Sequence, residues 1–251
     1  MRKTSIAVTA LLAAAAIAWA GGDPWKTKSI DQWNEKDIQE ILQTSPWAKA
    51  NIQPQGAWRP DGMTPATAVL GAPGSSQDNS HVSSGATPNQ PGGTDKEDSA
   101  AAGQSAYSVF WWSSRTIRAA SMRRAVLKGT MTEADAEKTV SSVPDDYMIL
   151  VQGTNMQIFQ HRGEQAFEKV AYLLLKKTKQ KVYPSKVAFL KGADGASVTG
   201  AVFYFPKKSS GDEPTIAPDE KEIDFYLQMG DAKLLTYFDP RKMVDSKGED
   251  L

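Results

Sequence analysis

The residues best placed for chemistry are Ser113-Ser114-Arg115-Thr116-Ile117-Arg118, directly after the aromatic run Ala106 to Trp112. Either serine can cap a helix here, which puts Arg115 and Arg118 in its first turn. The helix dipole already favours negative groups at that end, so two guanidiniums are unfavourable there unless an anion or carboxylate lies between them. One reading is an anion site made of the Ser113 and Ser114 hydroxyls, free amides and the two guanidiniums. The other is an intramolecular acid, for which the acid-rich stretch Asp212 to Asp224 is the expected source.

The tryptophans beyond position 20 are a second candidate group: Trp25, Trp33, Trp47, Trp58, Trp111 and Trp112 all lie in the first half of the chain. They could form a platform for a sugar ring or an apolar partner. Burying one removes roughly 150–250 Å² from water, so packing alone accounts for them, with Trp33 and Trp47 locking N-terminal helices onto a sheet. Trp111 and Trp112 are adjacent on a strand and must face opposite sides. One is core; the other, or Trp58, is the platform candidate.

Other chemistries find little to work with. There are no cysteines and two histidines, His81 in a low-complexity stretch and His161. Disulfides, thiolate nucleophiles, Cys-ligated zinc and His-based zinc are therefore excluded, and a catalytic triad would depend on His161 alone. No Gly-x-Ser-x-Gly or phosphate-binding glycine loop occurs. Glu133, Asp135, Glu137, Asp145 and Asp146 lack calcium-loop spacing. No catalytic residue, cofactor or metal is expected. Lys plus Arg and Asp plus Glu balance at 29 each, which argues against a nucleic-acid partner. The basic stretch Lys169 to Lys191 contains no acid. It either touches anionic envelope polymers or lipid headgroups, or keeps a sheet edge from pairing with another chain.

The elements that must position these residues begin after a leader. Arg2 and Lys3, the apolar run Ile6 to Trp19 and the Ala18-Trp19-Ala20 pattern read as a signal peptide over residues 1–20, cut after Ala20. The run is shorter than the roughly 20 residues that span a bilayer. The expectation is a soluble protein, periplasmic or extracellular, with no transmembrane segment after cleavage.

Residues 21–59 read as a helical segment and first strand belonging to the core domain. Ser29 and Gln32 fit a capping box, opening an amphipathic helix that ends near Gln43. Ser45-Pro46-Trp47 reads as a second helix start, and Asn51 to Trp58 as a short strand. Residues 60–105 are rich in Gly, Ser, Pro, Asn and Thr, with no aromatic residue, and are expected to be disordered. Whether they form a hairpin insertion or a tether stays open, since lengthening a turn that far costs only about 2 kcal/mol.

Residues 106–251 read as the α+β core. Ala106 to Trp112 and Tyr147 to Gln152 are strands, separated by helices from Ser113 or Ser114 to Leu127 and from Thr132 to Ser142. A helix over Glu164 to Lys169 precedes Ala171 to Lys176, which either continues it or forms a strand; the turn-like Lys177-Thr178-Lys179-Gln180 before Val182 favours the strand. Two hairpins follow, Lys186 to Phe205 and Ile223 to Phe238, then a helical turn after Asp239-Pro240. The fold class is α+β, a mostly antiparallel sheet covered on one face by a few helices, with a long disordered insertion.

Trp33-x-x-x-Asp37-Ile38-x-x-Ile41-Leu42-x-x-Ser45-Pro46-Trp47-Ala48 resembles the opening of a group of exported bacterial proteins of uncharacterised activity. The likeness continues in Phe110 to Arg118, in Asp219 to Phe225 and in Phe238 to Leu251. It implies export and a single α+β unit, and it transfers no functional residue. The function expected is a non-enzymatic interaction or structural module of the cell envelope, with an envelope protein as partner. The alternative is an extracytoplasmic binder of an anionic or carbohydrate ligand through Arg115, Arg118 and an exposed tryptophan.

Overall fold

The computed structural model describes residues 22–55 and 105–251. The expected leader, almost all of the low-complexity stretch and Trp58 lie outside them. The chain enters through α1 (Pro24–Thr27) and a 3-10 turn at Ile30–Gln32, then forms α2 (Glu35–Thr44). The Gln32 side chain accepts from the Ser29 amide at 3.3 Å, but this closes only the short turn. The helix proper starts at Asn34 and not at Ser29. Asn34 accepts from the Asp37 amide and Asp37 accepts from the Asn34 amide, both at 3.0 Å, so this reciprocal box is the stronger start.

The second helix expected at Ser45-Pro46-Trp47 is a turn instead, closed by Ala48 N–H on the Ser45 carbonyl, and it leads into β1 (Ala48–Ile52). The strand therefore precedes the expected Asn51 start. Tertiary pairing decides this. The Trp47 carbonyl accepts from the Trp111 amide at 2.8 Å, while its fully buried indole donates to the Asp250 carbonyl at 2.6 Å.

The remainder follows the expected order: β2 (Tyr107–Trp111), α3 (Arg115–Leu127), α4 (Glu133–Ser141) and β3 (Asp146–Gly153). Gly129, at φ 69°, takes the left-handed conformation that ends α3. Next come α5 (Gln157–His161), which the sequence reading lacked, α6 (Glu164–Glu168), β4 (Ala171–Leu175), β5 (Lys181–Val182), β6 (Lys186–Lys191) and β7 (Val198–Pro206). The chain ends with β8 (Ile223–Met229), β9 (Ala232–Phe238), a 3-10 turn at Pro240–Lys242, and a second unanticipated feature, the small hairpin of β10 (Val244–Asp245) and β11 (Gly248–Glu249).

The class is α+β with antiparallel strands, as expected, but the strands divide between two main sheets. One has the order β1-β2-β3-β7-β6 and the other β5-β4-β8-β9. Their inner faces pack together through aromatic rings. Phe203 and Phe205 meet Phe225, and Trp111 meets Phe238 with ring centres 5.2 Å apart. Strict alternation makes this possible: Ile223, Phe225, Leu227 and Met229 are all buried, as are Ala232, Leu234, Thr236 and Phe238. Because β1 pairs with β2, the low-complexity stretch connects neighbouring strands of one sheet.

The outer face of the five-stranded sheet lies beside α2 and α3. Leu42, Ser121 and Arg124 on the helices and Phe110, Trp112 and Leu150 on the sheet line a cavity of about 400 Å³ between them. The short helices α5 and α6 close one side of the sandwich instead. Phe159 and Phe167 stack there at 4.8 Å, both against Phe189 of β6.

Candidate functional site

At the start of α3 every free backbone amide finds a partner. Ser114, not Ser113, is the cap, accepting from Ile117 N–H at 3.1 Å. The Asp250 carboxylate accepts from Arg115 N–H at 2.6 Å and Thr116 N–H at 2.9 Å. The Arg115 guanidinium makes a forked contact with Asp245, its Nε and a terminal nitrogen reaching the two carboxylate oxygens at 2.9 and 2.7 Å. Arg118 is buried and donates to the Thr139 and Ser142 carbonyls at 2.8 and 2.5 Å, tying α3 to the end of α4. Burial pulls its pKa below the usual arginine value, with Asp250 acting the other way. The Ser113 hydroxyl is buried without a hydrogen-bond partner among the described residues.

The four residues read as an anion site thus sit together, and the chain's own carboxylates occupy the place an anion would take. Asp245 and Asp250 provide them, not the stretch Asp212 to Asp224. That stretch answers the basic one: Lys176 pairs with Asp224 at 2.7 Å and Lys177 with Asp219, while buried Glu220 accepts from the Lys177 and Lys221 amides. Nearest-charge reasoning along the sequence missed this because the closing hairpin β10–β11 returns to α3 across the whole chain.

Trp25, Trp33, Trp47 and Trp111 are all buried, with Trp25 edge-on to Trp47 at 5.7 Å. Trp111 lies between the sheets, whereas Trp112 is half-buried against the α2–α3 cavity on the opposite face. Among the described residues Trp112 lines that cavity, while the buried Trp25 and Trp33 line a second one of about 300 Å³. Two adjoining cavities of about 300 and 370 Å³ run between the 30–33 turn, α3, α4 and the 245–247 turn. Their lining mixes Lys28, Arg115 and Lys247 with Asp31, Asp245 and Glu133, so it favours neither sign of charge. His161 is exposed at the end of α5, and no group of three His, Cys, Asp or Glu side chains that could hold a metal occurs among the described residues.

A feature absent from the sequence reading stands on the outward face of the four-stranded sheet. Tyr172 pairs with Tyr226, and Tyr226 with Leu235; the Tyr183 ring lies beside Tyr172 at 5.8 Å. Tyr172, Tyr226 and Leu235 form one row across β4, β8 and β9, and Tyr183, just past β5, extends it to about 15 Å at the usual interstrand spacing. Tyr172 and Tyr226 are stacked, 4.6 Å apart and 19° from parallel. A parallel row holds Lys181, Leu174, Asp224 and Tyr237. Tyr237 is 60 % exposed, Tyr183 48 % and Leu235 44 %. Lys181 lies over the Tyr172 ring at 4.3 Å. The signal was present in Ile223 to Phe238, where apolar residues fall on both faces, but such a strand reads equally well as one buried on both sides.

Lys181 and Lys186 lie on β5 and β6, the edge strands of the two sheets, where lysines discourage pairing with another chain. No helix among the described residues is long and apolar enough to cross a membrane. No family model, curated protein or solved structure matches the chain.

Proposed function

We propose that this protein is an exported, non-enzymatic interaction or structural module of the cell envelope, and that it engages its partner through the outward face of the four-stranded sheet. One observation carries this reading: the row Tyr183–Tyr172–Tyr226–Leu235, flanked by Tyr237, projects outward where an antiparallel sheet normally presents polar side chains. Contiguous exposed apolar surface of this kind marks interaction sites, and tyrosine suits them because its ring is apolar and its hydroxyl wet. The leader-like residues 1–20 support placement in the envelope. The hydroxyls and guanidiniums at the start of α3 serve packing.

A photo-crosslinking residue at position 237, exposed in the native envelope, tests this. Adducts should form there and be absent with the same residue at position 247, in the β10–β11 turn beside α3. Equal labelling at the two positions, or none at 237, overturns the reading.

A further inference from the structure

We infer that the cavity between α2, α3 and the outer face of the five-stranded sheet is a binding site for a neutral sugar, an uncharged pyranose ring. It lies on the far side of the sandwich from the tyrosine face and does not depend on that reading. Its volume of about 400 Å³ is within the range of small-molecule sites. Trp112, Phe110 and Leu150 make the sheet side of the wall apolar, and the C–H face of a sugar packs on such a ring. Among the described residues no other aromatic ring and no cationic side chain lies over the Trp112 indole, in contrast to Tyr172, which is covered by Tyr226 and Lys181.

Five uncharged polar side chains share the lining: Gln43 and Ser121 from the helices, and Asn51, Ser108 and Gln152 from the sheet. None of them makes a side-chain hydrogen bond among the described residues. Amides and hydroxyls both donate and accept, which matches the hydroxyls of a sugar. A planar base stacked on Trp112 would turn its second apolar face to Gln43 and Ser121; a pyranose has hydroxyls that reach out on that side as well. The backbone of β1 is bulged at the same place. Lys49 pairs with Val109 and Ile52 with Tyr107, so Ala50 and Asn51 together oppose Ser108. Bulges re-aim side chains, and both bulged residues line the cavity. Asn51 holds φ 57°, a conformation that glycine takes at no steric cost, so the asparagine adds only its amide.

Charge selects a neutral ligand. Arg124 is the one ionised group in the lining among the described residues, and a Glu35 carboxylate oxygen lies 3.5 Å from its Nε. A ligand carboxylate or phosphate would have to compete with Glu35, and a cation would meet no acid in the lining. A fatty chain would leave the five polar groups without partners. The cavities beside α4 differ, since Lys28, Arg115 and Arg123 there are already paired with Asp37, Asp245 and Glu133.

Saturation-transfer difference NMR of the purified protein with the methyl glycosides of glucose, galactose, mannose and N-acetylglucosamine tests the inference. At least one should bind, while glucuronate and adenosine should not. Affinity for that glycoside should fall about tenfold in Trp112→Leu, which keeps an apolar side chain but removes the ring. Asn51→Gly keeps the left-handed backbone and removes only the amide, and Gln152→Leu keeps the volume; each should weaken binding roughly three- to tenfold. Tyr237→Ala should leave binding unchanged. Melting temperatures near wild type in Asn51→Gly and Gln152→Leu separate loss of the site from loss of the fold, so these two decide the matter if Trp112→Leu unfolds. Failure of all four glycosides, stronger binding of glucuronate or adenosine, or an affinity unchanged in Asn51→Gly and Gln152→Leu overturns the inference. So does loss of binding in Tyr237→Ala. None of these outcomes bears on the tyrosine face as an interaction surface, which stands or falls with the crosslink at position 237.

Discussion

Replacing Asp250 by alanine should unfold the protein at distinctly lower temperature, because its side chain holds the start of α3. Its carboxylate holds the first two amides of α3 at 2.6 and 2.9 Å, and only 6 % of the residue is exposed. Ser114 Oγ satisfies the third amide, and the Ser114 carbonyl takes the fourth, from Arg118. Alanine therefore orphans two amides that water reaches poorly. Hydrogen bonds to a charged acceptor contribute about 1.5–3 kcal/mol each, but two bonds to one carboxylate are not additive. The same carboxylate answers the helix dipole, a contribution of up to about 2 kcal/mol in partly buried geometry. We expect a total loss of about 2–4 kcal/mol, set against about 1 kcal/mol for Ser114→Ala, which removes one neutral cap. For a domain of this size that corresponds to a fall in melting temperature of roughly 5–15 °C. The Trp47 indole bonds the Asp250 main-chain carbonyl, which alanine keeps, so that contact does not confound the comparison. Thermal and urea denaturation followed by circular dichroism give the numbers. A melting temperature within about 1 °C of wild type, or a smaller effect than Ser114→Ala, would show that the helix start does not depend on this carboxylate.

Three further outcomes follow from the same geometry. Arg115→Ala and Asp245→Ala should each destabilise, with a coupling of about 1–2 kcal/mol in a double-mutant cycle, because the forked contact is partly shielded; strict additivity would refute it. Trp111→Ala should cost about 3–5 kcal/mol, since the indole fills the space between Tyr147 and Phe238, whereas Trp112→Ala, half-buried, should cost clearly less. Burial raises the Asp37 pKa, but the Lys28 ammonium at 2.6 Å and the Asn34 amide outweigh it and hold the carboxyl below its ordinary value. A depressed carboxyl stabilises the fold above its unfolded pKa, near 3.9, and that stability is lost as the pH falls through the folded value. Lys28→Met should therefore destabilise at neutral pH and lose less stability than wild type between about pH 5 and pH 2; parallel pH curves would refute the assignment.

Local patterns fixed most of the elements. Ser114 before Arg115 to Leu127, Thr132 before Glu133 to Ser141, and the Gly195 and Gly230 turns each settle their structure within a few residues of chain. Capping and turn geometry are local, so the sequence determined them. It failed at Ser45-Pro46-Trp47, where a sound helix start was overridden by pairing with β2 and by the buried indole of Trp47.

Two matters were decided only by tertiary structure. Which acid meets Arg115 depended on contacts 130 and 135 residues apart along the chain, beyond any spacing rule. Which apolar strand face stays open depended on how the strands divide into sheets. Tyr226 and Phe225 are neighbours with similar side chains; Phe225 meets the other sheet, and Tyr226 is left on the outward face. Alternation determined that the two must point in opposite directions, but only the packing of one sheet against the other determined which side is core.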